Sequence, residues 1–251
     1  MRLRDVDSDR IAVSVLTENP LTMTMKLFDL AGVESERRFS PYCWRIRMAL
    51  AHKGLDVETI AWRFSDKAAL AASGQGKVPV LVHGDKWLHE SWDIAQYLES
   101  TYPDRPSLFG GADGHALSKL YSNLGDVIAG QVSRFVLVDV YEHLDPGDKA
   151  YFRESREQRF GMTLEEVVAG REHKLQGFRE GLIALRMTLK TQPFFGGDTP
   201  LYADYALFGP FQWARCISTF QLLAPDDPIA LWRARLLAAF NGLAAAAPGY
   251  D

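Results

Sequence analysis

The residues best placed to do chemistry stand where a loop breaks into a helix. In Phe39-Ser40-Pro41-Tyr42-Cys43-Trp44-Arg45, Ser40 suits a helix N-cap. Pro41 suits the first helical turn, where its missing N–H would be unpaired anyway. Ile46, Ala49, Leu50 and Lys53 continue at helical spacing, and Gly54 can close the segment. A helix start gathers unpaired backbone N–H groups and the positive end of the dipole, so it favours an anion. Ser40 therefore either caps the helix and does no more, or also donates a hydrogen bond to an anion in front of it. Tyr42 is a competing donor, although its place two residues beyond the cap directs it toward a domain core. Cys43 is either a small buried hydrophobe or a redox thiol.

Two later stretches bear on the same chemistry. Lys77-Val78-Pro79-Val80-Leu81-Val82 opens an apolar strand on a proline. Such a proline cannot donate to a ladder, so it belongs at a strand start or edge. It is also a candidate for the cis isomer. A cis Val78–Pro79 bond would turn the Val78 backbone outward, free to pair with an extended peptide; the alternative is an ordinary edge proline. Glu90-Ser91 precede a helical pattern from Trp92 to Thr101. Ser91 is expected as its N-cap, with Glu90 beside the positive end of the dipole. That pair either caps the helix or holds a small carboxylate at Ser91 and an ammonium at Glu90.

These residues need a frame. Lys26–Leu30 and Asp56–Trp62 alternate as strands, and the helix at 41–53 lies between them. A βαβ unit of this kind predicts a parallel pair and a right-handed crossover. Ser65–Ala72 is read as a short Ala-rich helix ended by Gly74-Gln75-Gly76. His83-Gly84-Asp85-Lys86 reads as a hairpin turn into the returning strand Trp87-Leu88-His89, and the helix at 92–101 follows. The order over 25–103 is βαβαββα. Prolines and glycines between Pro103 and Gly111 mark a linker, taken as 104–113.

Beyond it, strand patterns vanish and 114–251 is expected to be all-helical. Residues 114–144 form one long helix ended at Asp145-Pro146-Gly147, and 147–162 read as charged and irregular. Thr163 with Glu166 is a capping-box signature for a helix running to about Leu189. Phe194–Asp198 is a turn, and 201–218 and 228–243 are further helices.

Composition narrows the function classes. The chain has 251 residues, 47% hydrophobic and 24% charged, enough for one large domain or two small ones. A net charge of -4 without a basic block argues against a nucleic-acid binder. Two cysteines, Cys43 and Cys216, argue against a disulfide framework and point to a reducing cytoplasm. No apolar run approaches the roughly 20 residues that span a bilayer. Residues 1–24 differ from the rest. They begin with charges of both signs and carry only a short apolar run, so a flexible extension is expected rather than a signal peptide.

Ser40-Pro41-Tyr42, Val78-Pro79 and Glu90-Ser91, in this order on a βαβαββα frame, resemble the glutathione-binding set of the glutathione transferases. The resemblance implies the fold of that family: an α/β, thioredoxin-like N-terminal domain followed by an all-α C-terminal domain. It implies that Ser40 hydrogen-bonds the glutathione sulfur and that Val78, held by Pro79, pairs its backbone with the cysteinyl part. Glu90 and Ser91 would hold the γ-glutamyl end. Lys77 would lie near the glycine carboxylate, with His52 and Lys53 as further candidates. Glutathione would be the cosubstrate, without a metal, and a homodimer the assembly. The stretch also resembles the Cys-Pro-Tyr-Cys of thiol oxidoreductases, with Ser40 at the first cysteine and Cys43 at the second.

A narrower resemblance rests on Ser40-Pro41-Tyr42-Cys43-Trp44-Arg45 together with Ser155-Arg156-Glu157-Gln158, Leu164-Glu165-Glu166-Val167 and Ala169-Gly170-Arg171-Glu172. These are similar to the glutathione-dependent β-etherases, which cleave aryl ethers of lignin-derived aromatics, and to related fungal transferases. One departure is Leu201, which stands where that family caps the helix carrying Asp204, so the cap must come from elsewhere, with Thr199 a candidate, or be lost.

The reading is a transferase that activates the glutathione thiol for attack on a hydrophobic, aromatic electrophile, with Tyr42, Trp44, Tyr121 and Trp213 as candidates for the electrophile pocket. The alternatives are a non-catalytic binder of glutathione conjugates or aromatic ligands and a Cys43-dependent thiol-disulfide oxidoreductase. Metal binding at His83, His89 and Glu90 lacks a further ligand in the sequence. Gly74-Gln75-Gly76-Lys77 lacks the length and the following Ser or Thr of a phosphate loop.

Overall fold

The computed structural model describes residues 24–250; the extension expected over 1–24 lies, but for Thr24, outside the described residues. The first domain runs β1 (Met25–Leu30), α1 (Pro41–His52), β2 (Val57–Trp62), a 3-10 helix (Lys67–Ser73), β3 (Val80–His83), β4 (Lys86–His89) and α2 (Ser91–Thr101). Its sheet has the order β2-β1-β3-β4. β1 and β2 are parallel, with Leu27 opposite Thr59, whereas β3 is antiparallel to β1, with Leu81 opposite Leu27. The buried Leu27, Phe28 and Leu81 of the sheet pack with Ile46, Ala49 and Leu50 of α1 and with Ile94 and Leu98 of α2.

The second domain is helical throughout: α3 (Ala112–His143), α4 (Pro146–Phe160), α5 (Leu164–Val168), α6 (Arg171–Gly181), α7 (Ile183–Leu189), α8 (Tyr202–Ile217) and α9 (Pro228–Gly242). Three sequence expectations are corrected here. Residues 147–162 are not irregular. They form most of α4, with Asp145 accepting the Gly147 N–H at 2.9 Å as N-cap, Pro146 in the first turn and Gly161 in the left-handed conformation after the last. The helix expected from Thr163 to Leu189 is three shorter ones, broken where Gly170 adopts φ 62° and again at Leu182. The Thr163 capping box itself is formed. Ser91 is not an N-cap: Glu90 occupies that place at φ 63°, without a side-chain cap bond.

α8 is the spine of the molecule, packed against both α3 and α1. Two glycines permit the approach. A Cβ on Gly209 would collide with the Pro41 carbonyl at the head of α1, and one on Gly125 would collide with the Ala206 carbonyl. The missing cap at Leu201 is compensated by buried Asp204, whose carboxylate accepts from Leu201 N at 3.0 Å, Phe195 N at 2.8 Å, Gly196 N at 2.9 Å and the Trp232 indole at 2.8 Å. The domains are also tied by Arg45 of α1, buried, whose guanidinium meets Asp126 of α3 at 2.7 Å and Ser122 at 3.4 Å. No helix among the described residues is long and apolar enough to cross a membrane.

Candidate functional site

Where α1 begins, the sheet domain and the helical domain enclose a cavity of about 260 Å³. Ser40, Pro41 and Tyr42 line it from the head of α1, Lys77 and Val78 from the approach to β3, and Phe64 from the loop after β2. The helical domain supplies the facing wall through Asp126 and Ser133 of α3, Tyr151, Phe152, Arg156, Arg159 and Phe160 of α4, and Trp213 of α8.

Ser40 owes its place to local sequence. Its extended backbone (φ -62°, ψ 124°) turns the chain into α1, and its Oγ accepts the Cys43 N–H at 3.2 Å. That bond does not use the hydroxyl proton, which remains available to an acceptor in the cavity. Ser40 is 3% exposed, so whatever it donates to is itself drawn out of water. The Val78–Pro79 peptide bond is cis. The backbone before it is clamped by a residue that sequence reasoning missed: Gln75 Oε1 accepts the Lys77 N–H at 2.7 Å and Gln75 Nε2 donates to the Lys77 carbonyl at 2.6 Å. The reciprocal side-chain-to-backbone pattern two residues apart is the signal that could have found it.

Tyr42 is 38% exposed at the cavity edge under the Arg45 guanidinium, 4.9 Å from its ring, and does not point into the core as expected. Burial of its hydroxyl, with the Asp126 carboxylate close by, raises its pKa. Glu90 and Ser91 lie at the head of α2 outside the cavity lining; the Ser91 carbonyl accepts the Tyr202 hydroxyl at 3.0 Å. Pro79 is buried behind Val78 and is not part of the wall.

Four further candidates are not brought to the cavity. Trp44 is buried, donating from its indole to the Arg38 carbonyl at 2.9 Å, because it occupies the face of α1 turned from the opening. Tyr121 of α3 packs on Phe195 at 5.2 Å between ring centroids. His52 bonds the Tyr205 hydroxyl at 2.6 Å, and burial lowers its pKa. Lys53 is buried at the far end of α1, paired with Glu99 at 2.7 Å and the Tyr102 carbonyl at 3.1 Å. His52 and Lys53 share α1 with Ser40, but a helix of 12 residues is about 18 Å long, so its ends serve different sites.

Cys43 is buried, and burial pushes its thiol well above the ordinary thiol range, with the nearby Asp29 carboxylate adding to the rise. Among the described residues no group of His, Cys, Asp and Glu could hold a metal ion.

The N-terminal domain model of the glutathione S-transferases matches residues 35–106, and their C-terminal domain model matches residues 116–221. Glutathione S-transferase U2 of Arabidopsis thaliana is 31% identical over 194 residues, covering 75% of this chain and 74% of the relative. Glutathione transferase GSTFuA3 of Phanerochaete chrysosporium superposes with a TM-score of 0.77 at 25% identity, over 86% of this chain and 97% of that one. A glutathione S-transferase of Ceriporiopsis subvermispora, solved in complex with glutathione, shares the fold with a TM-score of 0.73 at 23% identity, over 87% of this chain and 96% of that one. With both domain models matched in order and a relative of this identity aligned over most of its length, the chain belongs to the glutathione S-transferase family.

Proposed function

We propose that the protein binds glutathione along the backbone at Lys77 and Val78, places the sulfur in front of Ser40, and transfers it to an aromatic electrophile held against the helical wall. The observation that carries this reading is the shared cavity: a hydroxyl at a helix N-terminus and an aromatic wall open onto one space. Glutathione bound to a family member of the same fold supports the ligand. Glu90 and Ser91 take the γ-glutamyl end in this reading, beyond the cavity lining.

The chemistry follows from the thiol. A free thiol has a pKa of about 8.5, so only a few per cent is thiolate at pH 7. A hydrogen bond from Ser40 and the dipole of α1 need lower it by about two units, about 2.7 kcal/mol, to make thiolate the major form. The thiolate attacks the electrophilic carbon. The new C–S bond forms as the bond to the leaving group breaks, and the proton already lost from the thiol goes to solvent. With a β-aryl ether the leaving group is a phenoxide and the product a thioether. Ser40 donates a hydrogen bond throughout and forms no covalent bond. Phe64, Phe152, Phe160 and Trp213 supply flat apolar surface for an aromatic ring. The reading includes a homodimer, on the ground of family.

A redox role for Cys43 is disfavoured by its burial and raised pKa, since exchange needs an accessible thiolate. The deciding experiment is release of phenol from a fluorogenic β-aryl ether with and without glutathione, beside conjugation of a halonitrobenzene. Glutathione-dependent release supports the etherase reaction. Conjugation without release supports a transferase of other aromatics. Glutathione binding with neither reaction leaves a non-catalytic binder.

A further inference from the structure

α4 brings to the cavity a charge that the activation of a thiol does not use. Arg156 lies on the cavity wall, half-buried, with its guanidinium carbon over the Phe152 ring, 4.6 Å from its centroid, and 5.4 Å from that of Phe64. Its neighbour Arg153 is paired with Glu157 and Glu165, both at 2.8 Å. Arg156 has no carboxylate partner among the described residues; its Nη1 donates to the neighbouring Ser155 hydroxyl at 2.8 Å. The other charged groups of the wall are Lys77, Arg159 and Asp126, and Asp126 is already neutralised by Arg45. The cavity thus presents an apolar aromatic surface and an excess of cation, with one guanidinium held over that surface.

We propose that the electrophile is an aryl carboxylate, its ring against Phe152 and Phe64 and its carboxylate on the free edge of Arg156. This rests on the transferase reading above and names its substrate class. A guanidinium offers planar, paired donors that fit a carboxylate in a two-bond geometry. A guanidinium placed over a phenylalanine ring is held there by the cation–π attraction, and its five N–H donors exceed the bond it makes to Ser155. A half-desolvated cation whose neighbours are hydroxyls and not carboxylates gains more from an incoming anion than a solvated one. Burial also lowers the Arg156 pKa, in keeping with a guanidinium removed from water.

The test uses 4-chloro-3-nitrobenzoate and 4-chloro-3-nitrobenzamide with the full chain. In each, glutathione sulfur bonds to the ring carbon, the C–Cl bond breaks, chloride leaves and the thiol proton goes to buffer. Each kcat/KM is divided by the rate of the same electrophile with free glutathione, which removes the difference in intrinsic reactivity. The expected preference is about tenfold for the benzoate, carried by KM, as one charge-assisted bond pair implies. R156Q is expected to bring the ratio near one, and R156K to leave part of it. Equal normalised rates in the unsubstituted protein, or a preference that survives in R156Q, would overturn the proposal. Should neither compound be turned over while the β-aryl ether is also left intact, the transferase reading fails, and calorimetric titration with 3-nitrobenzoate against 3-nitrobenzamide still reads the subsite. Tighter binding of the benzoate, lost in R156Q, supports the proposal, and equal binding overturns it. A thermal melt of R156Q separates loss of the subsite from loss of the fold.

Discussion

The hydroxyl oxygen of Ser40 accepts the backbone N–H of Cys43 at 3.2 Å while its residue lines the interdomain cavity. One side chain therefore both starts α1 and faces the space in front of that helix. The two roles are separable by substitution, because an N-cap needs an acceptor and a thiolate needs a donor.

Ser40→Ala should remove both. The lost cap is expected to cost about 1 kcal/mol in a urea melt. Conjugation of a halonitrobenzene should fall by about tenfold to a hundredfold, mainly in kcat, with glutathione affinity changed less. Ser40→Asp keeps a cap acceptor but puts a carboxylate before the sulfur, so it should recover the stability and not the turnover. Undiminished turnover in Ser40→Ala would remove Ser40 from the mechanism.

The Lys53–Glu99 pair should leave a signature in the pH dependence of stability. Burial alone would raise the Glu99 carboxyl. Lys53, the Ser107 hydroxyl and the Leu108 N–H outweigh it and hold the pKa below the ordinary 4.5. A carboxylate with a lowered folded pKa contributes stability above its unfolded pKa and loses it as pH falls through the folded value. Glu99→Gln, which leaves the buried Lys53 charge without its counter-ion, is expected to cost about 2–3 kcal/mol at pH 7. Urea melts from pH 7 downward should show that difference from the unsubstituted protein holding to about pH 4.5 and shrinking below it. A difference that does not change with pH would contradict the assignment.

Both thiols should be silent in the native state. Cys43 and Cys216 are buried, and burial pushes Cys216 up to about 12. An aromatic disulfide reagent at pH 8 is expected to titrate no thiol in the folded protein and both in urea. Cys43→Ser should leave halonitrobenzene conjugation within about twofold of the unsubstituted protein, since the thiol faces the Phe28 carbonyl at 3.9 Å and not the cavity. Rapid native labelling at Cys43 would revive the oxidoreductase reading.

What sequence alone determined was local. Ser40 before Pro41, Thr163 with Glu166, and the alternation of Lys26–Leu30 are patterns within a few residues, and backbone geometry turns them directly into a cap, a capping box and a strand. The order βαβαββα followed from such pieces, and with it the family. Asp145-Pro146 before Phe152, Arg156 and Phe160 carries the same kind of signal for α4: an N-cap, a first-turn proline and residues at i, i+4 and i+8. The charges around them hid that spacing, because the middle residue of the three is itself an arginine, whose guanidinium lies over Phe152.

Only the tertiary structure decided which face of each helix meets the opening. Tyr42 and Trp44 are two residues apart on α1, about 200° around the helix, so one reaches the cavity and the other is buried on the opposite side. Tyr121 and Trp213 have equal claims as helical aromatics, yet Tyr121 meets Phe195 and Trp213 meets the cavity, because α8 packs between α1 and α3 through Gly209 and Gly125. Those choices depend on contacts between residues far apart in the chain, which periodicity along one helix does not encode.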